Sequence, residues 1–166
     1  MSVNFLNEAC QSFSSRKLFG LCDEPSPSTR PAYIDEANGE NWIGVVENDY
    51  LYDVTFTAID KCIDISIEGE VQPKRCDGML TFEGSVIFVE LKERHSGGNW
   101  IKDAEKQLKS TIENFELSEI AEDFSVKKAY IANSSHPKFR SSQTLRMESF
   151  LIETGYVLRI EQRIRL

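Results

Sequence analysis

Along VIFVELK, residues 86–92, Val86, Phe88, Glu90 and Lys92 alternate with Ile87, Val89 and Leu91, a period of two that predicts a strand. The preceding MLTF and the turn EGS (83–85) complete a hairpin, so two adjacent antiparallel strands are expected here. Upstream, VTFTAI (54–59) and IDISI (63–67) alternate in the same way and predict two more short strands. Residues 42–52 fit a strand or a helix equally well. Beyond the SGGN loop the period changes: Trp100, Ala104, Leu108, Ile112 and Phe115 recur every three or four residues, which predicts a helix capped by Asn99. KKAYIANS (127–134) predicts a strand, 141–155 a helix stopped by Gly155, and YVLRIEQRIRL a final strand. At the other end, Phe5, Ala9, Phe13 and Leu18 fall on one helical face, and the proline-rich residues 22–41 read as a linker.

Strands interleaved with helices predict an α/β (α+β) fold, a mixed central sheet with an antiparallel hairpin and flanking helices. The 166 residues suffice for one domain, with an N-terminal helix and linker over 1–41 and a core over 42–166.

Composition narrows the function classes. No apolar run approaches the roughly 20 residues of a membrane span, so no membrane partner is expected. The first 20 residues lack a basic leader with an apolar core, and a cytoplasmic location is the default expectation. Cys10, Cys22, Cys62 and Cys76 form no CxxC pair and are expected as buried free thiols. His95 and His136 are not at zinc-ligand spacing. No glycine-rich phosphate loop, Gly-x-Ser-x-Gly elbow or HExxH helix occurs. The net charge of −8 opposes broad attraction to nucleic acid, so any such contact must be local.

The candidate chemistry lies in RCDGMLTFEGSVIFVELKER, residues 75–94. Glu90 and Lys92 point to the same face about 6.6 Å apart along the strand, and the hairpin brings Asp77 opposite them. Two carboxylates with water and a backbone carbonyl suit a hard divalent cation, and a lysine beside them can orient water or stabilise developing charge. The rival reading makes Asp77 the start of a turn with Gly78, and Glu90 and Lys92 the solvent face of an edge strand. VIFVELK is too apolar for an exposed edge.

Asp77 followed thirteen positions later by Glu90-Leu91-Lys92 resembles the PD-(D/E)xK nuclease superfamily, with Cys76 standing where the motif has proline. The order of hairpin, E-x-K strand, helix and strand over residues 54–134 is similar as well. The resemblance implies a restriction-endonuclease-like fold and a magnesium-dependent nuclease, with manganese as substitute, hydrolysing phosphodiester bonds in DNA. It implies Asp77 and Glu90 as metal ligands and Lys92 as the catalytic lysine. It also implies a helical glutamine, matched by Gln107, and an upstream acid, for which Glu47 is the first choice and Glu8 the second. Members often form homodimers to cut both strands. Lys74, Arg75, Arg94, His95 and the helical stripe Lys102, Lys106 and Lys109 could grip phosphates, as could His136, Lys138 and Arg140 on the loop after 134. The helix lysines fit a solvated face equally well. The alternative function is a noncatalytic module of the same fold that binds nucleic acid or a protein partner.

Overall fold

A computed structural model describes residues 3–25, 27–65, 74–93, 100–134 and 143–166. Its organising strand is the apolar run singled out above. β7 (Ser85–Lys92) is buried over its first seven residues, lying between β6 (Gly78–Phe82), antiparallel, and β8 (Val126–Asn133), parallel. Glu83 and Gly84 form the β6–β7 turn, both with positive φ (42° and 71°), the handedness that matches strand twist in a two-residue hairpin. β5 (Val54–Ala58) pairs with the far side of β6, β1 (Gln11–Ser14) with β5, and β9 (Val157–Ile160) with β8. The six-stranded sheet therefore runs β1-β5-β6-β7-β8-β9, mixed in direction as expected.

The alternation along β7 separates two cores. Val86 and Phe88 join the apolar cluster beneath α1 (Trp100–Glu116) and α2 (Thr144–Thr154), with Leu108, Ile112, Phe115 and Phe150. Ile87, Val89 and Leu91 point the other way, onto a second sheet. That sheet has the order β10-β4-β2-β3, from β2 (Leu18–Cys22), β3 (Tyr33–Asp35), β4 (Gly44–Glu47) and β10 (Arg163–Arg165). Each fully buried Phe, Leu, Ile or Val contributes roughly 1.5–3 kcal/mol, so a strand apolar on both faces is energetically consistent only at the centre of such a sandwich. β4 approaches closely: a Cβ on Gly44 would meet Leu91 Cδ2 at 3.3 Å.

Several expectations change. Among the described residues the expected N-terminal helix is absent; residues 8–10 form one 3₁₀ turn before β1, and Phe13, expected on the helix's apolar face, is 63% exposed. The supposed linker carries β3 and a 3₁₀ turn over Gly39–Asn41. Residues 44–47 are a strand, and the final strand is two, β9 and β10, which belong to different sheets. Residues 63–65 form no strand, and 66–67 lie outside the described residues, as does Asn99. Cys10 and Cys62 are joined in a disulfide; Cys22 and Cys76 are buried free thiols as anticipated. Among the described residues no helix is long and apolar enough to cross a membrane.

Candidate active site

Gly78 faces Val89 in the β6–β7 ladder, so Asp77, one residue earlier, faces Glu90. The Asp77 amide donates to Glu90 Oε1 at 3.1 Å, and the Leu91 amide donates to Asp77 Oδ2 at 2.6 Å. Lys92 Nζ lies 3.2 Å from Glu90 Oε2 and donates to Gln107 Oε1 at 3.4 Å. Gln107 in turn donates to the Arg75 carbonyl at 3.3 Å. One helical turn on, Thr111 Oγ1 accepts from the Cys76 amide at 2.9 Å and donates to the Gln107 carbonyl at 2.9 Å. α1 thus clamps the chain entering β6, and the structure brings Asp77, Glu90, Lys92 and Gln107 together.

Glu47 is not among them. It ends β4, held by Arg163 and Arg165. In the small sheet Leu18 pairs with Glu47 whereas Leu21 pairs with Gly44, so the residue leaving β2 emerges at the end remote from Glu47. That residue is Asp23. Its carboxylate lies close enough to Asp77 for its charge to act on that group. Lys61 approaches Asp23 at 3.9 Å. Glu8 lies exposed in the 3₁₀ turn. Asp23 went unnoticed because the proline-rich run after it reads as a linker; the available signal was an acid directly after the apolar LFGLC.

Burial shapes the electrostatics. Asp77 is 7% exposed and Glu90 2%, and Lys92, with 25% of its side chain exposed, is the most exposed of the three. Burial, then the Glu90 carboxylate, then Asp23, push Asp77 well above the usual carboxylate range. Burial also raises Glu90, opposed by its hydrogen bonds from Asp77 and by Lys92. Asp23 is raised by burial against the pull of Lys61. Cys76 is pushed up by burial and then by Glu90. These carboxyls face one another with too little positive charge, which favours the protonated form of Asp77 unless a cation compensates.

That donor set fits a hard divalent cation. Among the described residues no three His, Cys, Asp or Glu side chains form a metal-holding group on their own, so an ion held by Asp77 and Glu90 would complete its shell with water or substrate oxygens, as magnesium commonly does.

A cleft of about 320 Å³ is lined by Asp23, Tyr33, Trp42, Glu93 and Ser134 among others, and by none of Asp77, Glu90, Lys92 and Gln107. Trp42 packs over Gly20 and donates from Nε1 to Asp35 at 2.8 Å. Of the basic residues proposed as phosphate grips, Arg75 turns inward to the Ile63 carbonyl and Asp60, and Lys109 pairs with Glu153. Lys74, Lys102 and Lys106 are exposed. Arg94, His95, His136, Lys138 and Arg140 lie outside the described residues. No protein-family model, curated protein or solved structure matches the chain.

Proposed function

We propose that the protein is a magnesium-dependent phosphodiesterase of restriction-endonuclease-like architecture that hydrolyses DNA, with Asp77 and Glu90 holding the metal and Lys92 as the catalytic ammonium. The observation that carries this reading is the meeting of Asp77, Glu90, Lys92 and Gln107 at the end of an interior strand. A bare structural ion pair would need no second buried carboxyl facing Glu90, because burying like charges together is costly.

Bound magnesium would supply charge neutralisation at a phosphate oxygen and a more acidic attacking water. The chain's own residues do the rest. Asp77 and Glu90 are pre-positioned by the β6–β7 register and by reciprocal amide contacts, so little rearrangement accompanies binding. Lys92 is aimed by Glu90 and Gln107, and its partly exposed ammonium would stabilise negative charge developing on a phosphoryl group. Gln107 keeps that orientation by bridging to the Arg75 carbonyl.

Incubation of the purified protein with supercoiled plasmid, branched DNA and RNA, in magnesium and in chelator, tests the proposal. Magnesium-dependent cleavage of DNA is expected, reduced roughly 10²–10³-fold by Glu90→Gln or Lys92→Ala without loss of folding. Absence of cleavage of every substrate, or unchanged activity in those variants, overturns it; cleavage confined to RNA reassigns the substrate. A noncatalytic module is the second reading, favoured by the net charge of −8 and the burial of the acid pair. Binding without cleavage would support that reading.

A further inference from the structure

The segment from Ile59 to Ile63 forms one wall of the carboxyl cluster. Its amides at Ile59 and Asp60 donate to the carbonyls of Asp77, at 2.8 Å, and Cys76, at 3.1 Å. Asp60 approaches Arg75 at 3.9 Å, and Lys61 approaches Asp23 at the same distance. The Ile63 carbonyl accepts from the Arg75 guanidinium at 2.7 Å. Arg75, in turn, offers its own carbonyl to Gln107, the residue that aims Lys92. Lys61 adopts a left-handed φ of 66°, which a residue with a Cβ takes up only where its surroundings impose it.

One such constraint is adjacent. Cys62 is bonded to Cys10 across 52 positions, and Cys10 ends the 3₁₀ turn leading into β1. A shallow groove of about 170 Å³, lined by residues including Gln11, Arg30, Tyr33 and Ala58, opens onto both cysteines, and Cys62 is only half-buried. A small thiol can therefore reach the bond. Cys22 and Cys76 are buried and their thiols are pushed up, primarily by burial, so neither is suited to intramolecular exchange.

We propose that the Cys10–Cys62 disulfide is a redox-sensitive tether of this wall, holding 59–63 against the chain that carries Asp77 when oxidised and releasing it when reduced. Reduction by a dithiol breaks the S–S bond, delivers two electrons and two protons to the cysteine sulfurs, and leaves the reductant as its own disulfide. Ile59 and Ile63 remain buried in the core, so release loosens the wall without unfolding the sheet. Effects on cleavage rest on the nuclease reading; the structural coupling does not.

Amide hydrogen exchange of the full chain, oxidised and after dithiothreitol, tests the tether. The amides of Ile59, Asp60 and Asp77 are expected to exchange about tenfold faster on reduction, with those of Ala129 and Ile131 in β8 unchanged. The Cys10→Ser/Cys62→Ser variant should reproduce the fast pattern and ignore dithiothreitol. Unchanged rates at Ile59, Asp60 and Asp77, or the same acceleration throughout β8, would overturn the proposal, the second result marking the bond as a general stabiliser. The exchange result stands whether or not the oxidised protein cleaves plasmid, which is the separate test of the nuclease reading.

Discussion

Asp77 and Glu90 grip each other's strand in both directions: the Asp77 amide donates to Glu90 Oε1 at 3.1 Å, and the Asp77 carboxyl accepts from the amide one residue beyond Glu90 at 2.6 Å. The carboxyl of Asp77 therefore has two separable properties, an acceptor that the buried Leu91 amide needs and an ionisable group that Glu90 opposes. Asp77→Ala removes both and leaves the amide without its acceptor, with an expected loss of about 1–3 kcal/mol. Asp77→Asn keeps an acceptor and removes the ionisable group, so it is expected to be neutral or stabilising in chelator. Urea denaturation of the two variants checks the difference.

The pH dependence of stability follows from the same group. Burial first, then Glu90 and Asp23, raise Asp77 well above its ordinary 3.8, so the folded state holds a proton that the unfolded chain releases. The stability this group contributes is complete below the unfolded value and is lost as pH rises from there through the raised folded one. Thermal melts in chelator from about pH 4 to about pH 7 should therefore show the wild type losing ground to Asp77→Asn as pH rises. Magnesium or manganese should restore the wild type more strongly at the upper end, where protons compete least.

Lys92 and Gln107 should separate as reacting and positioning groups. Lys92→Ala is expected to lower kcat by roughly 10²–10³-fold. Gln107→Ala should lower it less, about tenfold, with KM little changed, because Glu90 still holds the ammonium. Equal losses in the two variants would contradict that division of roles.

Gly20→Ala tests how the second sheet supports the cleft. A Cβ at Gly20 would lie 1.9 Å from Trp42 Cγ, so the indole must leave its place and its bond to Asp35. A loss of about 1–3 kcal/mol or more is expected, with a changed environment for Trp42 in tryptophan fluorescence.

What could be read from the chain followed the range of the interactions involved. β7, the turn before it and α1 were legible because their signals are local, although Ser85, read as part of the turn, begins the strand, and the apolar run into Glu90 and Lys92 correctly placed β7 inside the sheet. Asp77 became legible through the hairpin, since a short turn sets the register. The second sheet was hidden: its strands have three to five residues, and β4 finds a partner in β10, over a hundred residues away. YVLRIEQRIRL reads as one strand although Glu161 and Gln162 carry it from one sheet to the other. Asp23 was lost for the same reason, since only the packing of the small sheet on β7 brings the end of β2 to Asp77. The Cys10–Cys62 pairing, across 52 positions, leaves no local pattern either.

A divalent cation bound between Asp77 and Glu90, beside Lys92, is what the proposed chemistry requires. Crystals grown with manganese, with anomalous data collected at a wavelength where manganese scatters strongly, would locate it. An anomalous peak within coordination distance of both Asp77 and Glu90, lost in Glu90→Gln, is expected; saturating manganese with no peak between the two carboxyls would rule the cation site out.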